Sequence, residues 1–500
     1  MSRRLAPCVM IQGTASGVGK SVVATALCRV LRDEGYRVAP FKAQNMSLNA
    51  AVTSAGEEIG RAQWEQAVAA GLLPRATMNP ILLKPESDRR SQLVVLGRAR
   101  GTVAARDYWS RRRELWPVVS RALRELRREF EVVVIEGAGS PAEPNLRRSE
   151  LANMRVALAC DAAVLLVADI EPGGVFAQIL GTLDLLRDRE RALVRGIVVN
   201  KFRGDPALFA GGVRVLRRRS GIPVLGVLPY LPDMPVPPED SLSLDAPPSS
   251  GGVDIAVVRF PRISNFDDVA PLAAAGARVR FVARPGDLGV PDLVLLPGSK
   301  STIADLEWLR AVGLAARIRA LVNAGVPVIG ICGGFQMLGR ELADPDGFDG
   351  TRGTVRGLGL LPVRTAFTAT KRTVPVRGRI MGGGMFSALR GAELEGYEIH
   401  VGRTDRDGAA AFAELTRDGR HASVRDGAVS ADGRVLGTYV HGLFSTGAVR
   451  DGLLAHLAAR RGIAFTSRSL PADPYAPLAK WFRDAVDIRR LLAVTGLRRG

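Results

Sequence analysis

The sequence predicts an α/β protein built from two doubly wound, mostly parallel-sheet domains, the second with added β structure. Three observations carry this. Five hundred residues exceed one ordinary core and fit two to four domains. Short apolar runs alternate with helical stretches on both sides of a Pro-, Ser- and Gly-rich segment, residues 233–252, which reads as a linker. Beyond about residue 351 the chain turns glycine-rich and strand-like until Tyr439. The expected division is 1–232, the linker 233–252, 253–463, and a helical extension 464–500.

In order, Cys8–Gln12 reads as a strand, Lys20–Asp33 as a helix and Arg37–Phe41 as a strand. A basic amphipathic helix, Leu115–Phe130, feeds the strand Val132–Ile135. Ala162–Ala168, Gly196–Val199 and Val224–Val227 are further strands. In the second half, Asp254–Arg259, Arg278–Val282, Leu293–Leu296 and Val326–Ile331 are strands, and Ala448–Arg461 and Leu478–Leu492 are helical.

Composition narrows the function classes. The four cysteines show no paired spacing, which argues against a disulfide framework or zinc site and fits a reducing cytoplasm. No apolar run approaches a membrane span, so no membrane association is expected. The net charge of +19 invites a nucleic-acid reading, but the basic residues are nearly all arginine, are spread along the chain and rarely interleave with aromatics. A general arginine bias explains this better, so no nucleic-acid partner is expected. A positive surface would still steer a polyanionic substrate inward. The seven lysines are 20, 42, 84, 201, 300, 371 and 480. The first five lie in glycine-, proline- or amide-rich segments that look like site loops.

The first strand is followed by Gly13-Thr14-Ala15-Ser16-Gly17-Val18-Gly19-Lys20-Ser21 and then a helix. Glycines let backbone N–H groups close around phosphate oxygens, and the helix N-terminus adds positive partial charge. Lys20 would reach the β- and γ-phosphates, and the Ser21 hydroxyl would ligate Mg²⁺. Thr14 stands at the first glycine position of the usual spacing. Gly13, Thr14, Ser16, Gly17, Gly19, Lys20 and Ser21 are therefore the nucleotide-binding candidates, with ATP and Mg²⁺ the expected cofactors. Glu136, ending the strand Val132–Ile135, is a metal candidate or else a strand-end carboxylate facing water. Asn200 and Lys201, ending another strand, could touch a purine base or form an ordinary exposed turn.

In the second half, Val326–Ile331 runs into Cys332-Gly333-Gly334 and a helical stretch, the pattern of a nucleophile elbow. The turn exposes the sulfur, the helix N-terminus favours thiolate, and the Gly333 N–H can face an oxyanion. Gly298, in Pro297-Gly298-Ser299, could supply a second donor. Of histidines 400, 421, 441 and 456, His441 lies between a strand and a glycine turn and best suits a base for Cys332.

The phosphate loop resembles the dethiobiotin-synthetase-like branch of P-loop proteins. Phe41-Lys42-Ala43-Gln44-Asn45-Met46-Ser47-Leu48-Asn49 narrows the resemblance, with Gly60-Arg61-Ala62-Gln63, Met78-Asn79-Pro80-Ile81-Leu82-Leu83-Lys84-Pro85 and Glu136-Gly137-Ala138-Gly139-Ser140-Pro141-Ala142-Glu143. Together they resemble the cobyric acid synthase family of cobalamin biosynthesis over nearly the whole chain. The second half resembles that family's class I glutamine amidotransferase domain, whose matching Cys and His are catalytic.

The resemblance implies an ATP- and glutamine-dependent amidation. The implied partners are L-glutamine and a corrin, adenosylcobyrinic a,c-diamide, amidated at its b, d, e and g carboxylates. Lys42, Gln44, Asn45 and Arg61 are the candidates near the acyl-phosphate site, and Glu398 and His400, in Gly396–Gly402, are secondary candidates.

Two departures stand out. Leu443 occupies the position where many class I glutaminases have a triad Glu, as this family does without it, which leaves the group orienting His441 unidentified. Glu171-Pro172 replaces the family's usual Asp-Arg. Two competing readings are the sister enzyme cobyrinic acid a,c-diamide synthase, disfavoured by Ala43–Asn49, and a partition-type ATPase switch, which would not account for Cys332, Gly298 and His441.

Overall fold

The computed structural model describes residues 5–147, 150–231, 252–417 and 423–497. The expected linker, apart from Gly252, and His421 lie outside them.

The first half is organised on an all-parallel six-stranded sheet in the order Val224–Pro229, Val194–Phe202, Ala163–Asp169, Cys8–Gly13, Val132–Glu136, Val38–Phe41. Strand side chains alternate between faces, so each strand feeds two cores. Met10 joins one apolar cluster, while Val9 and Ile11 join the other with Val23 and Leu27 of the helix Lys20–Asp33. The first strand and first helix match their expected ranges to within a residue.

Three local expectations are corrected. The helix expected from Leu115 begins at Ala105 and runs to Glu129. Pro117 lies inside this helix. The expected helix Leu478–Leu492 is two, Tyr475–Ala485 and Ile488–Thr495. Val486 forms a bridge with Gly226, and Asp487 caps the second helix by accepting from the Arg490 N–H. The third is β structure in the first half, which alternation did not reveal. Gln44–Met46, Ile81–Ser87, Arg90–Val95 and Arg98–Ala104 form a small sheet, and Ala50–Val52 pairs with Glu58–Gly60. One of these strands contains both Lys84 and Pro85, which break its apolar pattern.

The second half centres on a sheet in the order Arg278–Val282, Asp254–Val258, Leu293–Leu296, Val328–Ile331, Val435–Thr438, Ala428–Val429, parallel except for the last pair. The β-rich stretch forms a second sheet around the long strands Arg364–Ile380 and Glu393–Asp405. One continuous core joins both sheets.

The C-terminal helices return to the first half. Leu478, Phe482 and Leu491 are buried in the same cluster as Val9, Ile11 and Leu27. Among the described residues, no helix is long and apolar enough to cross a membrane.

Candidate active sites

The first site forms where the parallel strands end. After Gly13 the chain turns through Gly17 and Gly19, both with positive φ, into the helix that starts at Lys20. Only glycine fits position 19: an added Cβ would stand 2.2 Å from the Asn200 Nδ2. Lys20 Nζ donates to the Ala15 carbonyl at 2.9 Å, so its ammonium is folded across the loop where phosphate oxygens would lie.

Ser21 Oγ donates to Glu136 Oε1 at 2.9 Å. Glu136 is fully buried, and its oxygens also accept from Lys42 Nζ (2.8 Å), Gln63 Nε2 (3.2 Å) and Gln66 Nε2 (2.5 Å). Glu136 therefore does not face bulk water. Ser21 and Glu136 present adjacent oxygen donors, the chemistry a Mg²⁺ ion takes when phosphates complete its shell. Among the described residues, no cluster of three or more His, Cys, Asp or Glu side chains could hold a metal unaided.

Asn200 Nδ2 donates to the Val18 carbonyl at 2.8 Å, which fastens this strand end to the phosphate loop. Lys201, with φ 60°, pairs with Asp169 at 2.6 Å. Asn45 reaches Glu136 through Gln63, to which it donates at 2.9 Å. Gln44 accepts from the Tyr108 hydroxyl at 2.6 Å and lines the cavity beside the loop. Where the family pattern has Asp-Arg, Glu171 instead binds the Arg203 guanidinium at 2.7 and 2.8 Å. A guanidinium is thus present beside residue 171, carried by a different segment.

Arg61 departs from expectation. It lies against Glu65 (2.9 Å) and Asp267 (3.1 Å), the latter in the second half, and so stands at the junction of the halves rather than at the phosphate loop.

The second site is the elbow. Cys332 has φ 53° and ψ −108°, backbone values that a side-chain-bearing residue rarely adopts. The turn is close-packed: a Cβ on Gly334 would stand 2.0 Å from the Leu296 carbonyl oxygen. The following Gly333–Leu338 helix points its N-terminus at the sulfur. Cys332 Sγ lies 3.4 Å from the Ile399 carbonyl, and the thiol is near enough to His441 to act on the charge of its ring. An added Cβ on Gly298 would stand 3.3 Å from His441 Cε1, and one on Gly333 would stand 2.8 Å from the Ser299 N. Both oxyanion candidates therefore line the space around Cys332 and His441.

His441 is 1% exposed, and its Nδ1 bonds Asp268 Oδ2 at 2.7 Å. Burial alone would push this imidazole down in pKa. The Asp268 carboxylate, with Cys332 adding to it, raises it instead to about 10. Asp268 Oδ1 also accepts the Gly442 N–H at 2.8 Å, which fixes the carboxylate beneath the ring. The group missing from position 443 is thus supplied by Asp268, from a different loop. Sequence reasoning missed it because no spacing rule links two residues 173 positions apart. The one available signal was the adjacent acidic pair Asp267-Asp268 in a turn between strands.

That turn is held by the first half. Asn265, at φ 50°, donates Nδ2 to the Ala50 carbonyl at 2.6 Å, and the Phe266 N–H donates to Asn49 Oδ1 at 3.1 Å. Tyr397 donates to the Ala50 carbonyl at 3.2 Å and stacks its ring on His441.

The secondary candidates divide. Glu398 is fully buried and bound bidentately by Arg417 at 2.7 and 2.8 Å, a structural pairing. His400 stacks on Tyr439 with ring centroids 3.8 Å apart and places Nδ1 3.1 Å from the Gly402 carbonyl. Burial, with Arg372 adding to it, pushes His400 down to about 3, so its ring is neutral near pH 7.

Known proteins match both halves. Residues 9–244 match the CobQ/CobB/MinD/ParA nucleotide binding domain, and residues 254–449 match the CobB/CobQ-like glutamine amidotransferase domain. The chain is 50% identical to a cobyric acid synthase of Sorangium cellulosum, over 98% of this chain and 99% of the relative. It is 48% identical to that of Moorella thermoacetica, over 99% of this chain and 98% of the relative. Against that of Chloroflexus aggregans it is 50% identical, over 95% of this chain and 96% of the relative.

Proposed function

This chain belongs to the cobyric acid synthase family, and from that premise we propose that its two sites act in series to amidate a cobyrinic acid derivative with glutamine as the nitrogen source. The observation that carries this reading is a Cys332–His441–Asp268 array whose acidic member sits on a loop docked to the phosphate-loop half.

In the glutaminase half, Cys332 thiolate attacks the glutamine amide carbon, and the N–H groups of Gly333 and Gly298 receive the oxyanion. His441, held by Asp268, gives its proton to the leaving nitrogen as the C–N bond breaks, which releases ammonia and leaves a thioester. Water then attacks the thioester, glutamate leaves and the thiol is restored.

In the other half, a substrate carboxylate oxygen attacks the γ-phosphorus of ATP and ADP departs. Ammonia attacks the acyl carbon and phosphate leaves as the amide forms. Gly13–Ser21 would hold the triphosphate and Lys20 would face its terminal phosphates. Ser21 and Glu136 would hold Mg²⁺, which when bound supplies charge to the phosphate oxygens. Lys42, sharing the same Glu136 oxygen, stands where it can receive charge developing during transfer. Asn200 and Lys201 suit the purine end.

The substrate read from the Ala43–Asn49 segment is adenosylcobyrinic a,c-diamide, amidated at b, d, e and g to give adenosylcobyric acid in the cytoplasm. Mass spectrometry of the products from this diamide, glutamine and Mg-ATP tests the reading. Stepwise gain of four amides is the expected result, and an unchanged diamide would refute it.

A further inference from the structure

We propose that the large cavity beside the phosphate loop seats the corrin through its carboxylate arms, an assignment that rests on the functional reading above. The cavity has a volume of about 970 Å³. That is at the upper end for a small-molecule site and far larger than an amino acid requires. Thr14 and Ser16 of the phosphate loop form part of its wall, so a ligand seated there reaches the terminal phosphate. Asn200 and Lys201 are not part of it, which leaves the purine to the other side of the loop.

Its walls carry five arginines, at 112, 113, 147, 155 and 187. Two are fixed on aromatic faces: Arg155 lies 4.2 Å over Trp116 and Arg112 lies 5.0 Å over Tyr108. Among the described residues, the guanidinium groups of Arg113, Arg155 and Arg187 form no ion pair.

Three carboxylates also line the cavity, and two are already engaged. Glu150 accepts the N–H groups of Ala152, Asn153 and Arg155, and Glu190 is buried and accepts the Arg187 N–H at 2.9 Å. The wall therefore presents excess positive charge in planar, carboxylate-matching form.

This chemistry answers a demand of the reaction. Four arms around one ring must each meet the same phosphate. A wall that recognises charge at many points accepts the ring in several orientations, where a close-fitting pocket would accept one. Each amidation also removes one negative charge, so affinity falls from diamide to product and the finished hexaamide is the weakest ligand.

The test is the double variant Arg113→Gln/Arg155→Gln, assayed with diamide, Mg-ATP and glutamine. KM for the diamide rises about tenfold, the size expected for lost charged contacts, while KM for ATP and glutaminase turnover stay unchanged. Added salt raises the wild-type KM more than the variant's. Because Arg155 also packs on Trp116, exposed Arg113→Gln alone serves as the variant that keeps the fold, with a smaller shift in the same direction. An unchanged diamide KM in both variants, or an equal rise in KM for ATP, overturns the assignment. Failure of the wild-type chain to amidate the diamide at all overturns the functional reading itself, and this assignment with it.

Discussion

At the scale of single residues, Asp268 is the sharpest difference between what the chain spells and what it builds. It holds His441 Nδ1 at 2.7 Å and keeps the imidazole protonatable in a site whose burial disfavours charge. Asp268→Asn keeps the shape and removes the charge, so burial then draws the His441 pKa down from about 10. Glutaminase kcat should fall by about 10² to 10⁴, as for loss of the orienting carboxylate in comparable arrays. Amidation fed by ammonium salts should be unchanged, and steady-state assays with each nitrogen source separate the two.

His400 gives a second residue-scale test. Its folded pKa, about 3, lies below the ordinary value of about 6.5. As pH falls from 6.5 toward 3, the unfolded chain takes up a proton that the folded chain refuses, and stability is lost. His400→Gln removes this contribution. Relative to wild type, the variant should gain on the order of 2 kcal/mol between pH 7.5 and pH 5 in urea unfolding. Parallel pH profiles for the two proteins would contradict the burial of a neutral ring.

At the scale of elements, the turn Asn265–Asp268 joins the two sites. Asp268 serves His441, while Asp267 faces Arg61 at 3.1 Å across the junction. Burial, with Asp268 adding to it and Arg61 opposing it, leaves Asp267 raised to about 6. Arg61→Met retains volume but leaves Asp267 and Glu65 without their cation. The side chain keeps 20% exposure, so the expected cost is about 2–3 kcal/mol, below that of a fully buried pair. Glutaminase kcat should fall with it, through displacement of Asp268, while KM for ATP should not move. Thermal unfolding and both assays on one preparation check this.

The same turn marks where legibility ended. The phosphate loop and the elbow were readable because each is a contiguous run in which glycines and one reactive side chain follow a strand. The helix Lys20–Asp33 and the strands Arg278–Val282 and Leu293–Leu296 were readable because their apolar periods are unbroken. Asp268, the Arg61 pairing and the small sheet of Ile81–Ser87 arise from contacts between distant segments. Lys84 interrupts that strand's apolar pattern and is buried only because Glu58 meets it at 2.6 Å. The helix expected from Leu115 also begins ten residues earlier, at Ala105, and runs through Pro117.

At the scale of the whole molecule, the two halves share a wall. Ala50, Val52, Leu82 and Val94 of the first half pack with Tyr397 and Ile399 of the second in one buried apolar cluster. Polar contacts surround it: Glu58 takes both Lys84 and Lys371, and Lys300 pairs with Glu86 at 2.9 Å. Burial would raise the Glu58 carboxyl, but these two lysines hold it down to about 2, so the carboxylate stays ionised at working pH. The cluster begins at the glutaminase centre itself, because the Ile399 carbonyl lies 3.4 Å from Cys332 Sγ and the Tyr397 ring stacks on His441. The apolar wall to which the phosphate-loop half contributes thus adjoins the residues that touch Cys332 and His441. Val52→Asp places a carboxylate in that wall, directly across the strand pair from Glu58, and admits water. Glutamine hydrolysed per amide formed should then rise above one, with free ammonia appearing in the medium, while ammonia-fed amidation keeps its rate. The ratio is measured by counting glutamate and amide in the same reaction. A ratio that stays at one in the variant would mean that the shared wall only docks the halves and does not confine the nitrogen passing between them.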